Sequence, residues 1–135
     1  MIIVDDHLAL RALAGGDDTY WIGETPSVPW VLYYRLLRAL RDPASSGRLS
    51  RSVTQQMTDY ASDPPSDVLH VIDPRPHTSV ATELQARYRL SMAAADLLGA
   101  SIHFSTAIHV IEDNIGRNWT EACDIEGVEL RVIPR

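Results

Sequence analysis

Three short apolar runs in this chain stop at carboxylates, and that repetition constrains its fold more than any other feature. Ile2-Ile3-Val4 runs into Asp5 and Asp6. The segment from Asp67 to Asp73 alternates Val68, His70 and Ile72 with Leu69 and Val71, and Ala107 to Ile111 is followed by Glu112 and Asp113. Runs of this length, rich in β-branched residues and bounded by turn formers, read as buried strands. A fourth run, Val-Glu-Leu-Arg-Val-Ile-Pro after Gly127, reads as a last strand.

The intervening segments carry helical spacing. Leu8, Leu10, Leu13 and Ala14 are stopped by Gly15-Gly16. Val31, Tyr34, Leu37 and Leu40 mark a second helix that begins at Trp30 and ends before Asp42-Pro43. Further helices are expected over 49–60, 78–88 and 91–104, with a short one through Trp119 and Ala122. Asp17 to Pro29 reads as a polar loop. Strands alternating with helices specify an α/β fold: one domain over 1–135, with helices on both faces of a mainly parallel sheet of roughly 4–5 strands.

Composition narrows the class. The chain has 135 residues, 45% hydrophobic and 22% charged, and no apolar run near the ~20 residues of a membrane helix, so a cytoplasmic, soluble protein with no membrane partner is expected. Its one cysteine, Cys123, forms no internal disulfide and reads as a packed free thiol. The net charge of -6 disfavours nucleic-acid binding through the whole surface. All 12 basic residues are arginine, and Arg35, Arg38, Arg41, Arg48 and Arg51 fall close together, which reads either as a solvated helix face or as a phosphate-facing patch.

The acids are the strongest chemical feature. In an open α/β sheet ligands bind beyond the carboxyl ends of the strands, where Asp5, Asp6, Asp73, Glu112 and Asp113 fall. Asp96 belongs with them, on the helix that precedes the third run. Singly, each reads as a helix cap; together, acids without a cysteine set or a paired histidine pattern suit a hard cation, Mg²⁺ or Mn²⁺, and hence phosphoryl chemistry. His70 and His109 read as hydrogen-bonded side chains, and His7 is close enough to Asp5 in sequence to assist a site. The three tryptophans read as core or interface. No Gly-x-Ser-x-Gly elbow and no glycine-rich phosphate loop is present.

Two resemblances attach to these residues. The opening Ile2–Leu13 and the segment Asp67–Pro74 are similar to response-regulator receiver domains, which would make Asp73 a phosphoacceptor; the absent lysine and the long interval from Asp6 to Asp73 depart from that pattern. More of the chain resembles the PIN domain, the fold of the VapC-type toxins. The opening carries an acid at the family's first position, Asp5, and Ala95 to Asn114 resembles its stretch in which an acid begins a helix and another ends the following strand. The resemblance implies a PIN-like α/β/α sandwich and a metal-dependent endoribonuclease, the toxin of a toxin–antitoxin pair. Mg²⁺ or Mn²⁺ would be held by the catalytic Asp5, Asp96 and Asp113, with Glu112 and Asp6 as auxiliary ligands. Arg35, Arg38 and Arg41 would hold RNA phosphates, and a homodimer and a cognate antitoxin would be the partners. One departure is plain: Tyr33, Tyr34 and Arg35 occupy the region where the family carries a glutamate. A PIN-like module without catalysis, serving association, is the alternative.

Overall fold

In the computed structural model, which describes residues 1–15, 23–42, 51–111 and 116–134, the apolar runs come together as one sheet. Its strands are β1 (Ile2–Val4), β2 (Pro26–Pro29), β3 (His70–Ile72), β4 (Ile108–Ile111) and β5 (Leu130–Ile133), in the order β3-β2-β1-β4-β5. Every neighbouring pair is parallel. Helices α1 (Asp6–Leu13), α2 (Trp30–Arg41), α3 (Arg51–Ser62), α4 (Thr78–Tyr88), α5 (Met92–Phe104) and α6 (Arg117–Glu126) complete the α/β/α sandwich. A 3₁₀ turn, Arg75–His77, leads into α4. Ile3, Val4, Val28, Ile108 and Val110 from the sheet are fully buried with Leu8, Leu32 and Leu98 from the helices.

β2 corrects the expectation of a loop from Asp17 to Pro29. It lies between β1 and β3, pairing Ser27 with both Ile3 and His70, and all four of its residues are buried. Proline lacks the N–H that a ladder needs, so Pro26 and Pro29 are tolerated because they stand at the two ends of the strand. The helix expected from Thr78 does begin there, but no side chain caps it, and the Thr78 hydroxyl donates to the Pro74 carbonyl at 2.6 Å instead.

The strand order fixes where a site can form. The chain steps outward from β1 to β2 and β3, then returns to lay β4 on the other side of β1. The carboxyl ends of β1 and β4 therefore flank the topological switch point. The edges are short: β3 has three residues, and β5 carries Arg131, which donates to Glu129 at 2.7 Å.

Small residues set the helix packing. A Cβ on Gly99 of α5 would meet Ala81 Cβ of α4 at 3.1 Å and His77 Cδ2 at 3.3 Å, so the two helices approach as closely as a glycine allows. Ser91 caps α5 by accepting the Ala94 N–H at 3.1 Å. Cys123 is a buried free thiol, and burial pushes its pKa up to about 11, so it stays protonated.

Candidate functional site

Asp5 leaves β1 in an extended conformation and becomes the N-cap of α1. One carboxylate oxygen accepts the Leu8 N–H and the other accepts the Ile111 N–H at the end of β4, both at 2.9 Å. Its backbone N–H also reaches the His109 carbonyl, at 3.1 Å. The side chain is 1% exposed. Asp5 thus joins the carboxyl ends of β1 and β4 across the switch point, with both oxygens engaged by main-chain donors.

Asp6, the first residue of α1, faces Arg35 of α2. The guanidinium donates through Nε at 2.7 Å and Nη2 at 2.9 Å, one bond to each carboxylate oxygen. Burial alone would raise the Asp6 pKa, but the hydrogen bonds and charge of Arg35 outweigh it and hold the carboxyl below its ordinary value. Arg35 is held above its own ordinary value by the Asp6 hydrogen bond and, more weakly, by the charge of Asp5. Asp5 and Arg35 line one small cavity of about 50 Å³ with Leu32, Ala93, Ala94 and Trp119, room for a few water molecules. A guanidinium thus shares the crevice with the Asp5 carboxylate. Of the three residues in the region of the expected glutamate, Tyr33 ties α2 to α3 by donating to the Ala61 carbonyl at 2.6 Å, Tyr34 is exposed, and Arg35 turns to the acids.

Asp96 is buried but serves a different neighbourhood. Ala93, Ala94 and Leu97 present α5 to the Asp5 cavity, and Asp96 is not among the residues lining it. One of its oxygens accepts the Val31 N–H at 3.2 Å, and the other lies 2.6 Å from His77 Nε2. α2 begins after Pro29, which has no side-chain cap to offer, so a carboxylate from another helix supplies the cap. His77 is fully buried, and its Nδ1 has no protein partner; the Nδ1 of His109 has none either, although the ring makes the expected hydrogen bond, to the backbone of Ile3. The sequence signal for this role of Asp96 is indirect: a helix that opens on proline and tryptophan without Ser, Thr, Asp or Asn needs a cap from elsewhere.

The remaining expected residues are dispersed. Glu112 and Asp113 lie outside the described residues. Asp73 follows β3 and is separated from Asp5 and Asp6 by β2. It is clamped by Arg75, whose Nε donates at 2.9 Å, and that hydrogen bond drives its pKa down to about 2. Arg38 and Arg41 are exposed on α2. Two aromatic residues on that helix stand out: Trp30 and Tyr34, 46% and 55% exposed, lie 5.7 Å apart between ring centroids at 30°. Their i, i+4 spacing was visible in the sequence, but their exposure was not.

The donor set decides what the crevice can hold. A divalent cation needs several oxygens free to converge. Among the described residues Asp5 is tied to two amides, Asp6 is chelated by Arg35, and Asp96 is turned to Val31 and His77. No group of three or more His, Cys, Asp or Glu side chains among them is close enough to hold a metal ion. Glu112 and Asp113, two of the five expected ligands, lie outside that set, so the described residues by themselves do not make up a Mg²⁺ or Mn²⁺ site. None of the described helices is long and apolar enough to cross a membrane. No protein-family model matches the chain, and no curated protein matches it.

Proposed function

We propose that this chain is a PIN-like binding module that holds the phosphate backbone of single-stranded RNA without cleaving it. The observation that carries the reading is Arg35: its guanidinium is paired to Asp6 in two hydrogen bonds and lines the Asp5 cavity, the neighbourhood to which the PIN resemblance assigns a metal. Arg38 and Arg41 continue the positive charge along α2, and the exposed Trp30–Tyr34 pair supplies faces on which bases stack. Cation and aromatic on one helix localise binding on a chain whose net charge is -6.

The expected result is binding of a fluorescent single-stranded oligoribonucleotide in the presence of chelator, falling with added salt and about tenfold weaker in the Arg38→Ala/Arg41→Ala variant, with the oligonucleotide intact after incubation with Mn²⁺. Equal affinity in wild type and variant would overturn it.

The second reading is the metal-dependent endoribonuclease that the PIN resemblance implies, in a toxin–antitoxin pair. It is favoured by the position of Asp5 at the switch point, with Glu112 and Asp113 following Ile111 directly in sequence. Cleavage that needs Mn²⁺, stops with chelator and is lost in Asp113→Asn would establish it over the first. Arg35→Glu separates the two further: isothermal titration should detect no Mn²⁺ binding to the wild type at millimolar concentration and a new site in the variant, since the change replaces the competing cation with a ligand.

A further inference from the structure

A second cavity, of about 360 Å³, opens beside the acidic crevice, on the far side of Ala94 and Trp119. Its character is opposite. Among the described residues its lining includes two arginines, Arg89 and Arg117, and no carboxylate. Two helices of 13 and 10 residues start at its wall, α5 behind the Ser91 cap and α6 behind Gly116. Gly116 has no side chain with which to cap α6. The first hydrogen bond into that helix is Thr120 N–H to the Gly116 carbonyl at 3.1 Å, so the amides of Arg117, Asn118 and Trp119 have no intrahelical acceptor.

Trp119 supplies an independent observation. It stands in the wall between this cavity and the Asp5 cavity and lines both, it is only 4% exposed, and its indole Nε1–H is buried without an acceptor from the protein. A buried donor left unmatched is costly, and native chains rarely keep one unless something satisfies it. The arginines are available. Arg117 reaches Glu121 at only 3.5 Å across an exposed surface, a contact worth little in water, and the Arg89 guanidinium, unlike its backbone N–H on the Gln85 carbonyl, makes no hydrogen bond or ion pair among the described residues. Arg89 is set at the mouth by its left-handed backbone, φ 54°, which turns the chain from α4 to α5.

We infer that the cavity between the N-termini of α5 and α6 is a phosphate-binding site, taking a phosphate group on Arg89, Arg117 and the first amides of α6. The chemistry is that of helix N-termini and paired guanidiniums, each favouring a tetrahedral anion. The site stands on its own residues and does not depend on the RNA reading; the phosphate comes either from free inorganic phosphate or from a nucleic-acid backbone.

The test is a titration of the isotope-labelled full chain with sodium phosphate against sodium chloride of equal ionic strength, followed by amide and indole NMR. Phosphate should produce saturable shifts at the Trp119 indole and at the Arg117 and Asn118 amides, and Arg89→Gln/Arg117→Gln should weaken the fit about tenfold. Both side chains are exposed, so the variant should keep its fold, checked by circular dichroism; should it unfold, the wild-type titration still decides. No saturable shift, or shifts confined to residues elsewhere, would overturn the inference. Competition by a single-stranded oligoribonucleotide would identify a backbone phosphate as the source. Phosphate binding without competition would identify free phosphate, leaving the site in place while removing RNA from it.

Discussion

Asp5 shows how one side chain serves structure and candidate chemistry at once. With its oxygens on the Leu8 and Ile111 amides, it caps α1 and closes the β1–β4 junction. Removing it costs a cap of about 1 kcal/mol and leaves a buried strand amide unmatched at about 1–3 kcal/mol. Asp5→Ala should therefore lower unfolding free energy by about 2–4 kcal/mol in urea titration, while Asp6→Ala, which breaks a half-exposed ion pair, should change it by less than about 1 kcal/mol. Asp5→Asn presents an amide donor to one of those two N–H groups, so any loss of activity in that variant has to be read together with its fold. The sequence placed Asp5 correctly because a carboxylate after a buried run falls at the carboxyl edge of an α/β sheet. Asp96 was harder to place. Helical spacing gives a residue's face, and the partners that claim it, Val31 N–H and His77, come from 65 and 19 residues away.

At the scale of elements, the runs with clear periodicity were legible and β2 was not. Four residues bounded by prolines and centred on Ser27 carry no hydrophobic alternation, and only the ladder on both sides makes them a strand. The α4–α5 contact was legible in kind, as a stretch of small residues, and the structure gives it dimensions. Gly99→Ala gains about 1 kcal/mol of helix propensity but forces a methyl against Ala81 Cβ at 3.1 Å, where overpacking costs about 1–3 kcal/mol. A net loss of up to about 2 kcal/mol is expected in thermal unfolding. Ala81→Gly in the same chain should return part of it, because it removes the nearest atom; an additive pair would mean that the helices part rather than collide.

For the molecule as a whole, the parallel sheet followed from alternation alone, whereas strand order did not, because crossover direction is not written in local spacing. That order moves Asp73 out of the crevice and gathers charge into separate compartments, acids with Arg35 in one and Arg89 with Arg117 in the next. It also makes stability depend on pH through His109 in β4. Burial and the neighbouring Arg131 charge lower its pKa below 6.5. The unfolded chain therefore takes up that proton first, and stability present above pH 6.5 is lost as pH falls through the lower folded value. His109→Gln should flatten urea midpoints measured downward from pH 6.5, and an unchanged slope would assign the loss to other groups. The edges of the sheet bear on assembly. β3 offers three residues before Pro74 interrupts it, and β5 presents the Arg131–Glu129 pair, so neither margin offers a long bare template to a neighbour's backbone. Among the described elements these margins turn any self-association away from a continued sheet and toward contacts read in side chains.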